Sequence, residues 1–258
     1  MAEGAREIVL TGVDLTSYEG GLGALVEAVL LGVPRLPRLR LSSMDTIEID
    51  DRLFDLITGE PRVMPHVHLS LQAGDDLILK RMKRRHLRAQ AVAMVTRLKA
   101  RRDIAIGADL IAGFPTEDAA AFANTLALLD DCDIVQAHVF PFSPRAGPPA
   151  ARMPPVAPAT AKARAAQLRA AANARRQAWL AAQIGTEHRI VVEKPGDRGH
   201  AENFAEVRLT DPATLDQAAK ALPRDATALS PTTPDAIGNI RSVRIIGAAP
   251  DHLIGIPA

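Results

Sequence analysis

The chain holds 258 residues, enough for one α/β domain with a small appendage. Hydrophobic residues make up 47% but aromatics only 3%, so Leu, Ile, Val and Ala must fill the core, and no run of about eighteen apolar residues is present to form a transmembrane helix. The formal net charge is only +1, and the one cysteine, Cys132, excludes both an internal disulfide and a cysteine-only metal site.

The N-terminus, MAEGAREIVLTG, has no basic-then-apolar leader pattern, so a soluble cytoplasmic protein is expected. Apolar alternation predicts a strand over Glu7–Leu10, ending in Thr11-Gly12-Val13-Asp14, and a helix over Gly23–Leu31. A strand over Leu39–Ser43 precedes a helix over about Asp51–Thr58. Val67–Gln72 reads as a strand, with Val67, Leu69 and Leu71 alternating against His68, Ser70 and Gln72. Gly74-Asp75-Asp76 makes a turn, followed by helices over about Asp76–Arg84 and Ala89–Arg101. Ile104–Ala112 is a strand, Glu117–Leu129 a helix and Ile134–Phe140 a strand. Strands separated by helices predict parallel βαβ units with right-handed crossovers.

Pro and Gly then crowd Ser143–Pro158, which reads as a connector. One long Ala-rich basic helix is expected over Ala159–Ile184, and no Asp or Glu occurs from Ala157 to Ile184. From Gly185 short β-like runs follow (Arg189–Glu193, Ala205–Leu209, Val243–Ile246), predicting a small all-β module. Asp211–Pro234 has too little periodicity to assign. The organisation expected is therefore residues 1–158, a connecting helix over 159–184, and a β domain over 185–258.

Polar or Gly-rich residues follow the strands repeatedly: Thr11-Gly12, Ser42-Ser43, Gln72, Gly113-Phe114-Pro115-Thr116 and Ser143-Pro144-Arg145. Active sites of parallel α/β folds gather at such strand ends. The basic residues cluster too, with six Lys or Arg between Lys80 and Arg88, a pair at Arg101-Arg102, and a run along Lys162–Arg176. Clusters of this kind attract phosphate even in a chain of balanced charge, although each also fits a solvated helix face. The seven histidines show no H-E-x-x-H grouping, so His66 and His68 read as strand-packing residues, and no metal site is expected. Cys132, at a helix end running into a strand, reads as a small buried residue and not a nucleophile.

Five stretches in this order carry a family resemblance: EIVLTGVDLTSY (Glu7–Tyr18), RLRLSS (Arg38–Ser43), HVHLSLQAGDDLILKRMKRRH (His66–His86), ADLIAGFPTE (Ala108–Glu117) and AHVFPFSPRAGPPAARMP (Ala137–Pro154). They resemble the radical S-adenosylmethionine methylthiotransferases, in particular the branch acting on threonylcarbamoyladenosine in tRNA. GHAENFAEVRL (Gly199–Leu209) resembles the RNA-binding TRAM domain. The fold implied is a partial parallel (β/α) radical-SAM barrel lacking its first strand, followed by a small TRAM-like (OB-like) β-barrel. The cofactors implied are S-adenosylmethionine and, in the full-length family, [4Fe–4S] clusters. The partner implied is tRNA. The family's CxxxCxxC cluster motif does not occur in this sequence, so the chain is expected to be a C-terminal portion, inactive alone, whose N-terminal region would belong to the same chain.

The resemblance also implies residue roles. Thr11 and Gly12 match the turn that meets the methionine amino group, and an ordinary strand-to-helix turn explains them as well. Ser70 and Gln72, two apart on one strand face, are candidates for ribose or carboxylate hydrogen bonds. Ile111 and Gly113 would flank the adenine and Phe140 would pack near it, although a helix cap at Thr116 accounts for the Gly-Phe-Pro turn equally. Lys80, Arg81, Lys83, Arg84, Arg85 and Arg145 are the RNA-contact candidates, positioning phosphates without reading sequence. Lys194, Arg198, Arg208, Arg241 and Arg244 are available on the β module. Two alternatives stand beside this reading: a stand-alone RNA-binding protein on a degenerate barrel, and a methylthiotransferase acting on isopentenyladenosine tRNA or on ribosomal protein.

Overall fold

The computed structural model describes residues 4–12, 18, 20–144, 149–210 and 237–258. Two compact units emerge: Val9–Pro34 with Leu39–Arg175, and Met1–Ile8 with Arg35–Arg38 and Arg176–Ala258. Arg145 and residues 211–234 fall outside the described residues.

From Glu7 to Pro141 the chain is a βα succession, most of it in the larger unit. Strands β1 (Glu7–Leu10) and β2 (Arg38–Leu41) pair with each other, with helix α1 (Gly21–Gly32) between them in sequence. Helix α2 (Asp51–Gly59) is capped by Asp50, whose carboxylate accepts from the Leu53 N–H at 2.7 Å. Strands β3 (His66–Gln72), β4 (Ala105–Ala112) and β5 (Ile134–Pro141) form a parallel sheet in that order, with α3 (Asp76–Arg81), α4 (Arg88–Arg101) and α5 (Ala119–Asp131) as crossovers. This sheet meets the β1–β2 pair through two single bridges, Leu39 to Val63 and Met44 to Leu69, and not through a continuous ladder.

One face of the β3–β4–β5 sheet is apolar, as expected for parallel strands. Val67, Leu69, Ile106, Ala108, Leu110 and Ile134 are all buried there. The other face carries His66, His68, Ser70, Asp109, Gln136 and His138. A polar face on a parallel sheet is costly unless its groups are paired or meet a ligand.

Two predicted boundaries and one face assignment need correction. Helix α3 ends at Arg81, not Arg84, because Lys83 takes a left-handed φ of 59° and the Arg84 N–H returns to the Leu79 carbonyl at 2.9 Å. The cationic run is therefore part helix and part turn. Helix α5 begins at Ala119 with Asp118 as its cap, not Thr116, whose φ is 70°. Gln72 does not share a simple alternation with Ser70. A bulge separates Leu69, opposite Ala108, from Gln72, opposite Leu110, and Gln72 has φ 65°.

Helix α6 (Pro158–Ala181) matches the long Ala-rich prediction within three residues. In the second unit β6 (Glu187–Glu193), β7 (Arg198–His200), β8 (Glu206–Leu209), β9 (Ile240–Ala248) and β10 (Leu253–Pro257) close into a barrel of order β10-β8-β7-β6-β9. Ile190, Val192, Val207, Val243, Ile245 and Leu253 fill its core. Gly199 lets β7 approach β6: a side-chain carbon there would sit 2.1 Å from the Val191 carbonyl oxygen.

Candidate functional site

The polar sheet face gathers three side chains that no sequence spacing announces. His68 on β3 lies one strand from Asp109 on β4, which pairs in register with His138 on β5. The Asp109 carboxylate oxygen Oδ1 sits 3.1 Å from His68 Nε2 and 3.1 Å from His138 Nδ1, so one oxygen serves both imidazoles. The two rings are 4.9 Å apart between centroids. Gly107 makes this possible, because a side-chain carbon there would fall 2.6 Å from His68 Nδ1. Burial pushes the Asp109 carboxyl up, but hydrogen bonds and charge from His68 and His138 outweigh it and hold the group below the usual carboxylate range. The three donor atoms lie within 4.8 Å of one another, the spacing of a metal-binding group, and here they engage one another through the two hydrogen bonds.

The C-terminal strand ends open onto a cavity of about 320 Å³ lined by Gln72, Arg81, Met82, Lys83, Arg84, Ile111, Phe114 and Ala150. Gln72 and Ile111 are thus brought together. Ser70 stands one step back, its carbonyl accepting from the Arg84 guanidinium at 2.7 Å. Phe140 is 51% exposed at the end of β5, opposite Ile111 in register and 6.5 Å from the His138 ring. Thr11 and Gly12 are exposed beyond β1.

Gly113 is closely approached by α6. With φ 77°, its missing side chain is replaced by Ala161 of α6, whose Cβ is 2.3 Å from where a Gly113 Cβ would be. Its N–H donates to Glu117 Oε1 at 3.0 Å, and Glu117 also pairs with Arg164 at 2.9 Å. Burial raises the Glu117 carboxyl above its ordinary range, against the opposing Gly113 and Arg164 bonds. These contacts belong to helix packing.

The basic clusters divide sharply into committed and available charge. Arg84 pairs with Asp45 at 3.2 Å and Arg85 with Glu48 at 2.7 Å. Arg81 donates to Thr116 Oγ1. Arg102 donates to the carbonyls of Ile57 and Val63 at 2.9 and 2.8 Å, closing the C-terminal end of α2, so it is withdrawn from any phosphate role. In α6, Arg164 holds Glu117 and Arg175 pairs with Asp130 and Asp133. Lys80 and Lys83 make no ion pair among the described residues, and both line a groove of about 420 Å³ with Arg84 and Arg85. On the barrel, Arg208 pairs with Glu206 and Arg244 with Glu187 at 2.9 and 2.8 Å, while Phe204 stacks on His200.

Cys132 is buried, as expected, and burial with the neighbouring Asp131 charge pushes its thiol up to about 12. One cysteine falls short of the several thiolates that an iron–sulfur cluster needs. Asp109 and His138 were missed from sequence because 29 residues separate them and only strand register unites them. The signal that could have found them was polar residues recurring in strands whose crossovers predict burial.

The Radical SAM superfamily matches residues 1–129. Threonylcarbamoyladenosine tRNA methylthiotransferase MtaB of Rickettsia prowazekii is 43% identical over 226 residues, covering 85% of this chain and 53% of that protein. The tRNA-2-methylthio-N(6)-dimethylallyladenosine synthase of Paracoccus denitrificans is 30% identical over 272 aligned positions, 100% of this chain and 56% of that one. The chain thus spans about half the length of these curated relatives. Among solved structures, coproporphyrinogen III oxidase (HemN) of Escherichia coli shares the fold with a TM-score of 0.53 at 15% identity, over 67% of this chain and 41% of that one.

Proposed function

Because the chain belongs to the radical SAM superfamily and groups with its MtaB-like methylthiotransferases, we propose that it forms the S-adenosylmethionine-contacting and tRNA-binding part of an enzyme that adds a methylthio group to threonylcarbamoyladenosine in tRNA. The observation that carries this reading is the polar face of the β3–β4–β5 sheet, continued by the cavity at Gln72 and Ile111. Such a face suits a polar cofactor better than a packed core.

When bound beside an iron–sulfur cluster, S-adenosylmethionine supplies a deoxyadenosyl radical. One cysteine does not supply the several thiolates such a cluster needs, so we derive no radical step from this chain's residues. Their work is binding and orientation. Ser70 and Gln72 contact the polar part of the cofactor, with Thr11-Gly12 meeting its amino group. Ile111 and Phe140 offer apolar surface to the adenine. Lys80 and Lys83 hold tRNA phosphate, and the C-terminal barrel, read as TRAM-like, adds a second RNA surface.

Calorimetric titration of the 258-residue chain with S-adenosylmethionine tests the reading. Saturable binding that Gln72→Ala weakens about tenfold supports it, a loss matching one or two hydrogen bonds. The buried lone cysteine favours a second reading, a stand-alone RNA binder on a degenerate barrel. Binding of tRNA with no detectable binding of S-adenosylmethionine would select that reading and overturn the first.

A further inference from the structure

Resting on that reading, we propose that His138 is a specificity-determining residue that recognises a polar substituent on the N6 position of the target adenosine. Within the His68–Asp109–His138 group the three side chains are unequally exposed, at 9%, 25% and 64%. His138 is therefore the member that faces outward from the sheet. Its Nδ1 is fixed on Asp109 Oδ1 at 3.1 Å, and Asp109 is itself held by His68 at 3.1 Å. The ring is thus oriented before any ligand arrives, with Nε2 as its remaining polar atom and without a partner among the described residues.

Next to it stands the exposed Phe140 ring, 6.5 Å away between centroids and roughly perpendicular at 72°. With Phe140 given to the cofactor's adenine, the oriented His138 nitrogen stands about one base-width from the cofactor, where a target purine bearing a polar exocyclic group must approach. The names of the two relatives define the alternatives: one carries threonylcarbamoyl, the other dimethylallyl. Threonylcarbamoyl brings a carboxylate, a hydroxyl and urea N–H groups, and dimethylallyl brings none. Covering His138 Nε2 with the apolar group strips its water and returns no hydrogen bond, which disfavours that substrate by on the order of 10- to 100-fold.

The test uses two RNA hairpins that differ only in carrying N6-threonylcarbamoyladenosine or N6-dimethylallyladenosine, titrated against the 258-residue chain and two variants. The unaltered chain is expected to prefer the threonylcarbamoyl hairpin by about tenfold or more. His138→Phe should abolish that preference by weakening the polar hairpin, while His138→Gln, which keeps a hydrogen-bonding side chain, should retain part of it. The exposed position makes both substitutions compatible with folding, and an unchanged melt confirms it. Equal binding of the two hairpins by the unaltered chain, or a preference that survives in a folded His138→Phe, overturns the inference and leaves the proposed function standing. Failure of the unaltered chain to bind either hairpin overturns the proposed function itself.

Discussion

Asp45 shows how much of the cationic run serves the fold. Its carboxylate lies 3.0 Å from His86 Nδ1 and 3.2 Å from the Arg84 guanidinium, and the Thr46–Glu48 turn begins on it. Burial pushes the group up, but the His86 hydrogen bond, with the His86 and Arg84 charges, holds it below the usual 3.8. A carboxyl depressed in the folded state contributes stability above its unfolded value, which is lost as pH falls through the folded one. Asp45→Asn should therefore flatten the acid limb of the stability curve below about pH 4, and cost about 1–3 kcal/mol at neutral pH by leaving His86 and Arg84 poorly paired. Urea unfolding at a series of pH values measures both; an acid limb as steep as that of the unaltered chain would refute the assignment. The signs of these charges were plain in the sequence. Their partners were not, because Asp45 is 41 residues from His86.

At the scale of elements, the contact between Gly113 and α6 makes a strong demand. Gly113→Ala forces a left-handed φ on a residue with a side chain, costing about 1–2 kcal/mol, and drives Cβ against Ala161, adding about 1–3 kcal/mol. Thermal melts should show a clear loss of stability with any S-adenosylmethionine affinity little changed in the molecules still folded. A selective loss of binding at unaltered stability would instead support the adenine-flanking role that the resemblance implies. Strand and helix order in the larger unit was legible because periodicity changes at nearly every boundary. The end of α3 was not: Lys and Arg are good helix formers, and a turn imposed by Lys83 overrode that local preference. The strands Arg198–His200 and Leu253–Pro257 escaped because three residues, or a run holding Gly and Pro, show too little alternation.

Taken as a whole molecule, this is a near-neutral protein, and within its Lys80–Arg88 run Lys80 and Lys83 are left without an ion pair among the described residues. If Lys80 and Lys83 carry the phosphate contacts, replacing both by Ala should reduce the slope of log affinity against log salt by about 1.5, at roughly 0.7–0.9 per lost contact. Arg85→Ala should change it less, since that guanidinium already sits on Glu48. Filter binding of tRNA across a salt series decides it, and equal slopes for the three proteins would place the RNA surface elsewhere. The sequence displayed the charge clusters but not which were committed to internal pairs, since that depends on contacts such as Arg164 with Glu117, 47 residues away.

The C-terminal barrel has a consequence for the order of events during synthesis. Its closing strand, β10, is the last described strand in the chain, yet it lies between β8, which it pairs in parallel, and β9. No arrangement of β6, β7, β8 and β9 closes the ring until Leu253–Pro257 has left the ribosome. Until then β8 and β9 each present an unpaired edge. Nascent chains halted before Leu253 should be cut readily by protease within residues 187–209 and 240–248, and chains in which Leu253–Pro257 has emerged should become resistant there in one step.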